Sequence, residues 1–158
     1  MTIGDDINEE RKVKSIYGSP VNSPGFLLWQ VNNKWQREQY MILREIGLTH
    51  VQFVLLAGIA WLTDHGQTVT QINLSNFVKA DEMMTSQVVR KLIVKNFVSR
   101  IRNPLDSRSY QLKLTSEGFN IVQIAFKKVE SIDERFFGSL SKEDMKEITK
   151  ILEKLASN

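Results

Sequence analysis

Apolar residues along this chain recur first at helical spacing, briefly at strand spacing, and then at helical spacing again. Leu28, Val31, Trp35, Ile42 and Ile46 fall on one stripe of a long helix. Ser23 suits its N-cap, Pro24 its first position, and Gly47 ends it after roughly 30 Å at the usual rise. Thr49 followed by Gln52 makes a capping box. It opens a second helix through Val54, Leu55, Leu56, Ile59 and Leu62, which stops near Asp64-His65-Gly66. Being apolar on most sides, this helix is expected at the centre of the fold. After a short extended piece around Val69, Thr70 can cap a brief helix from Gln71 to Val78, and Asp81 the next, to about Lys95. Two short helices joined by the Lys79-Ala80 turn predict a helix-turn-helix.

The second of these helices sorts its residues cleanly. Thr85, Val88, Val89 and Leu92 lie on one stripe, whereas Met83, Ser86, Gln87, Arg90 and Lys91 point the other way. Asn96 stands where a helix ends in the left-handed conformation. The period then falls to two. A strand from Phe97 to Asn103, a turn at Pro104-Leu105-Asp106-Ser107 and a return strand from Tyr110 to Leu114 predict a hairpin, or wing. Thr115 caps a helix whose stripe of Val122, Ala125, Phe126, Val129, Ile132 and Phe136 is wide. After Gly138, Ser141 with Asp144 opens a last helix carrying Met145, Ile148, Leu152 and Leu155 in register. The expected fold class is mainly α with a small β wing.

Charge changes the picture where it is concentrated. The chain carries a net charge of only +3. Between Lys79 and Lys113, however, eight basic residues (Lys79, Arg90, Lys91, Lys95, Arg100, Arg102, Arg108, Lys113) face three acidic ones (Asp81, Glu82, Asp106). That segment therefore sums to +5 and the remainder to −2. A positive footprint confined to a helix and its neighbouring hairpin is what a polyanion-binding surface requires.

Composition excludes other classes. With 158 residues, 42% of them hydrophobic, the chain can build one compact domain, alone or with a dimerisation element. There is no cysteine, hence no disulfide framework, thiolate cluster or cysteine redox chemistry, which fits a reducing cytoplasm. Met1 to Asn22 is polar and lacks the apolar core of a signal peptide, and the longest apolar run, Phe53 to Leu62, is about half a membrane span. A cytoplasmic protein without a membrane partner is expected. No phosphate-cradling glycine loop, His-Glu-x-x-His or Gly-x-Ser-x-Gly is present. Asp64-His65, next to Gly66, reads as a helix terminus rather than a catalytic pair. Two histidines, His50 and His65, are thin material for a metal site. Neither catalysis, a metal nor a cofactor is expected.

Taken in order, these residues resemble the MarR (multiple antibiotic resistance regulator) family of bacterial winged-helix transcription factors. The resemblance covers nearly all of the chain after Ser23. It rests on the long first helix ending in Ile46-Gly47-Leu48-Thr49, the helix-turn-helix from Thr70-Gln71 through Asp81 to Leu92, the Asp106-x-Arg108 pattern and the closing Leu114-Thr115-x-x-Gly118. Lys79 and Asn96 depart from it, standing where the family often has glycine. The corresponding organisation is a flexible arm (1–22), a first helix for dimerisation and support (23–47), a winged helix-turn-helix DNA-binding lobe (48–115) and C-terminal dimerisation helices (116–158).

The resemblance implies a homodimer in which the first and last two helices interlock and two winged lobes straddle double-stranded DNA. The apolar stripes of the C-terminal helices point the same way, because they need a cover. Such a dimer reads a pseudo-palindromic operator with half-sites about 10 bp apart or a small multiple of that. In the major groove, Arg90 and Lys91 would meet guanine acceptors or phosphates, Gln87 would pair with adenine, and Met83 and Ser86 would touch a thymine methyl or a phosphate. By the family pattern, Arg108 enters the minor groove and Asp106 holds its guanidinium. Arg100 and Arg102, on one face of the strand, would add phosphate contacts. The resemblance also implies a small aromatic effector, for which Trp29, Trp35, Tyr40, His50 and Trp61 are the candidate lining residues. Aromatics at helical spacing are more often plain core. The rival reading is a winged helix used for protein–protein interaction without specific DNA binding; its recognition helix would present apolar residues in place of Arg90 and Lys91.

Overall fold

The computed structural model describes residues 15–103 and 106–157; for Asn103, Asp106, Ser107 and Arg108 the description stops at the backbone. Most of the expected arm and Pro104-Leu105 of the wing turn lie outside the described residues. After a short 3-10 turn at Pro20–Asn22 come α1 (Pro24–Arg44), α2 (His50–Asp64), α3 (Gln71–Val78), α4 (Glu82–Val94), β1 (Val98–Asn103), β2 (Asp106–Leu114), α5 (Ser116–Phe137) and α6 (Lys142–Ala156). Two compact units divide the chain, Met1–Gln36 and Arg37–Asn158.

In the first unit the rings of Phe26 and Trp29 stack with centroids 6.2 Å apart. Leu28 and Val31 of the predicted stripe are exposed there.

The second unit is organised around α2, which buries Phe53, Leu55, Leu56, Ile59 and Leu62. Each such side chain taken from water contributes about 1.5–3 kcal/mol. Gly58 lets α3 approach α2 closely, since a Cβ there would lie 2.9 Å from Leu74 Cδ1. Caps set the helix ends. Thr49 with Gln52, Thr70 with Asn73 and Ser141 with Asp144 form reciprocal capping boxes, while Asp81 and Thr115 each accept one backbone N–H. Gly66 follows α2 with φ +71°, and Asp64-His65 is the helix terminus that the sequence indicates.

β1 and β2 pair antiparallel, with Val98 opposite Leu114 and Arg102 opposite Tyr110. The return strand begins at Asp106 rather than at Tyr110, so the second half of the predicted Pro104-Leu105-Asp106-Ser107 turn belongs to the strand. Asp-Ser-Arg-Ser has no apolar alternation to announce it. Backbone pairing continues nonetheless, through an irregularity at Arg102/Asn103, to Asn103 opposite Asp106. Val69 joins the hairpin by accepting the Leu112 N–H at 2.7 Å.

No residue of α6 is buried; Leu152 is 45% and Leu155 62% exposed. Among the described residues no helix is long and apolar enough to cross a membrane.

Candidate nucleic-acid interface

The helix-turn-helix takes its geometry from one left-handed residue. Lys79, with φ 55°, ends α3, and its neighbour Ala80 donates to Ser75 O at 3.0 Å. Asp81 then accepts the Met84 N–H at 2.9 Å and starts α4. The buried side of α4 is Thr85, Val89 and Leu92, with Val88 half-buried. Thr85 is accommodated there because its hydroxyl donates to Asp81 O.

The opposite side of α4 is the face read from the sequence. Met83, Gln87, Arg90 and Lys91 are exposed and Ser86 is half-buried. All of these but Gln87 line one of two grooves. Met83 and Ser86 line one of about 680 Å³ with Gln71, Ile72, Asp81 and Glu82, between the first turns of α3 and α4. Arg90 and Lys91 line a smaller one of about 310 Å³ with Gln52, Val94 and Lys95. Ile72, 61% exposed, was not singled out from the sequence; its signal is an apolar residue off the buried side of α3, which is Leu74 and Ser75.

The wing is fastened to the lobe at its base. Thr115 N donates to Phe97 O at 3.1 Å, and its hydroxyl donates to Asn96 O at 2.6 Å while accepting the Gly118 N–H at 2.9 Å. A Cβ on Gly118 would fall 1.9 Å from Phe97 O, so only glycine lets α5 start this close to β1. The Leu114-Thr115-x-x-Gly118 motif is thus the joint of the wing, with Asn96 at φ 58° feeding β1 into it. On the face shared with buried Val98 and Leu112, Arg100 lies over the Tyr110 ring, 4.2 Å from its centroid. Arg102 is exposed on the same face. The strand backbone carries Asp106 and Arg108 on β2, and their side chains lie outside the described residues.

Of the five aromatic candidates for an effector pocket, Trp29 and Trp35 belong to the first unit and Tyr40, His50 and Trp61 to the second. Trp29 stacks on Phe26, and Trp35 is half-buried in the same unit. Tyr40 is exposed. His50 and Trp61 occupy the first and last turns of α2, about 16 Å apart at the ordinary helical rise. Trp61 stacks between His65 (3.8 Å) and Phe77 (4.7 Å). His50 is half-buried, and burial pulls its pKa below 6.5 against the opposing charge of Asp133. A separate open cleft of about 490 Å³ lies where α5 meets α6, lined by Glu130, Asp133, Glu134, Phe137, Leu140 and Met145. Among the described residues no three His, Asp or Glu side chains are placed to hold a metal ion.

Comparison with known proteins bears on this arrangement directly. Residues 40–133 match the family model described as ArnR1-like, winged-helix domain. A Bacillus subtilis (strain 168) protein named as the uncharacterized HTH-type transcriptional regulator YdcH is 45% identical over 130 residues, covering 82% of this chain and 88% of the relative. A crystal structure of an Escherichia coli MarR mutant complexed with operator DNA superposes with a TM-score of 0.74 at 24% identity, over 83% of this chain and 91% of that one. The multiple antibiotic resistance protein MarR of Salmonella typhimurium (strain LT2) is 27% identical over 99 residues, 63% of this chain and 66% of that one. The chain belongs to the MarR family of winged-helix transcriptional regulators. Another structure of the MarR-type fold, CouR from Rhodococcus jostii RHA1 bound to p-coumaroyl-CoA, superposes with a TM-score of 0.77 at 20% identity, over 87% of this chain and 94% of that one.

Proposed function

We propose that this MarR-family chain is a sequence-specific, double-stranded DNA-binding transcriptional regulator, a repressor that occupies a pseudo-palindromic operator as a homodimer. The observation that carries this reading is the outer face of α4, where Gln87, Arg90 and Lys91 stand exposed beside a wing fastened at its base. An α-helix of this kind fits the major groove. Gln87 and Arg90 read adenine and guanine edges, Lys91 meets a phosphate, and Met83 and Ser86 face a thymine methyl or the backbone. Arg102 adds a phosphate contact from the wing. Arg100, held over Tyr110, presents a stacked guanidinium to the same strand. Arg108, supported by Asp106, reads the minor groove, a role that rests on the family pattern.

The division into an arm (1–22), a support helix (23–47), a DNA-binding lobe (48–115) and dimerisation helices (116–158) goes with this reading. Its support is α6, on whose apolar face Met145 and Ile148 are only half-buried and Leu152 and Leu155 stand exposed. A partner copy would cover it. A small aromatic effector would release the dimer, with Trp29, Trp35, Tyr40, His50 and Trp61 as the candidate contacts; the ligand-bound CouR structure of similar fold favours the existence of an effector. The protein is read as a cytoplasmic regulator and not as a catalyst. The rival, a protein-interaction module, is disfavoured by the polar outer face of α4.

Footprinting the protein on fragments of its source genome, the region upstream of its own gene included, tests the proposal. One or more protected sites with two-fold related halves are expected, and substitution of Gln87 or Arg90 by alanine should relax preference at one position of each half-site by about 1–3 kcal/mol. Uniform coverage with no preferred site would overturn it.

A further inference from the structure

Lys95 belongs to the basic segment and is exposed, yet its ammonium is engaged by the protein itself. Nζ donates to Gly47 O at 2.6 Å and to Gln52 Oε1 at 3.2 Å. Gly47, with φ +72°, closes the C-terminal end of α1. Gln52 is 5% exposed, and its Oε1 also accepts the Thr49 N–H at 3.2 Å within the capping box of α2. Both acceptor positions of that amide oxygen are therefore used. Lys95 itself is the C-cap of α4. One cation thus sits among three helix ends: the carbonyl end of α1, where a positive charge is favoured, the box that starts α2, and the end of the recognition helix.

We infer that Lys95 is a positioning residue that fixes the C-terminal end of the recognition helix to the corner between α1 and α2, rather than a DNA contact. This rests on the DNA-binding reading above. Among the described residues the neighbours Arg90 and Lys91 make no such hydrogen bond, and they line the same groove as Lys95, so charge alone does not distinguish the three. The hydrogen bonds do. A phosphate contact supplies affinity to every sequence, whereas a tether sets the angle at which the outer face of α4 meets base edges and so affects the preference for the operator.

The test compares Lys95→Met, which keeps the stem and removes the amine, with Lys91→Met and with Lys95→Arg, across a salt series on operator and unrelated duplexes. Lys95→Met should lower operator affinity by about fivefold or more while leaving the salt slope and unrelated-DNA affinity unchanged. Lys95→Arg, which keeps donors, should restore most of the loss. Lys91→Met should reduce the slope by about 0.9 for each phosphate contact removed. A reduced slope for Lys95→Met, or unchanged operator affinity, would overturn the inference. A second arm needs no DNA. In denaturant unfolding, Lys95→Met and Gln52→Met should be non-additive, because each removes the same bond. Additive effects would show that the tether is not formed, whether or not the chain binds DNA.

Discussion

Gln39 of α1 donates Nε2 to Asp133 Oδ1 of α5 at 3.0 Å, and it does so with its side chain wholly buried. Its Oε1 meets no donor among the described residues. The glutamine is therefore held in the core by one charge-assisted bond, which ties α1 to α5. Gln39→Leu removes that bond, worth about 1.5–3 kcal/mol, and at the same time removes the orphaned oxygen. A net loss of about 1–2 kcal/mol is expected, read as a lower urea midpoint at unchanged slope. An unchanged midpoint would mean that the bond is not formed in solution.

The same carboxylate acts on His50. Burial lowers the imidazole pKa from 6.5, and the charge of Asp133 opposes the shift. Because the folded value lies below the unfolded one, the unfolded chain binds the extra proton first as pH falls. The contribution of His50 is then complete above pH 6.5 and is lost as pH falls through the folded value. Stability relative to His50→Asn should decline below pH 6.5. In an NMR titration, Asp133→Asn should move the His50 midpoint to lower pH. Movement to higher pH would contradict the assigned signs.

Gly118→Ala places a methyl 1.9 Å from the Phe97 carbonyl oxygen, a backbone atom that cannot rotate aside. The start of α5 or the base of the wing must shift, at a cost of about 3 kcal/mol. Gly25→Ala is the matched control, since its Cβ would meet only Ser23 Oγ at 3.9 Å. Thermal unfolding of both variants checks this. Equal midpoints would refute the joint.

Lys79 occupies the left-handed region at φ 55°. An L-residue with a Cβ bears about 1–2 kcal/mol of strain there that glycine does not. Lys79→Gly should accordingly raise stability by up to about 1 kcal/mol, the greater freedom of the unfolded glycine offsetting the rest. A fall in the unfolding midpoint would contradict this.

The parts of the fold legible in the sequence are those written in local patterns. Thr49-x-x-Gln52, Asp81, Thr115 and Ser141 each announce a helix start by a side chain that reaches its own first turn, and each caps where the spacing places it. The outer face of α4 follows from the helical period alone. What escaped depends on residues distant in the chain. In the sequence Lys95 is one more basic charge, because its partners Gly47 and Gln52 lie a helix and more away. The period-two pattern marks Tyr110 only as a strand residue, whereas its ring supports Arg100 from the opposite strand. The early start of β2 at Asp106 rests on backbone pairing, which polar side chains do not signal. The Thr70 box, closed by Asn73 instead of the usual Glu or Gln, was legible only as a cap.

The salt dependence of equilibrium binding to an operator-containing duplex tests the DNA-binding claim most directly. A dimer that grips phosphates with Lys91, Arg102 and the wing should show log affinity falling linearly with log salt, with a slope of about −0.9 per contact. Arg108→Ala should reduce that slope and the preference for narrow A·T-rich flanks. A flat salt response, with Arg108→Ala binding as tightly as the parent chain, would contradict the account.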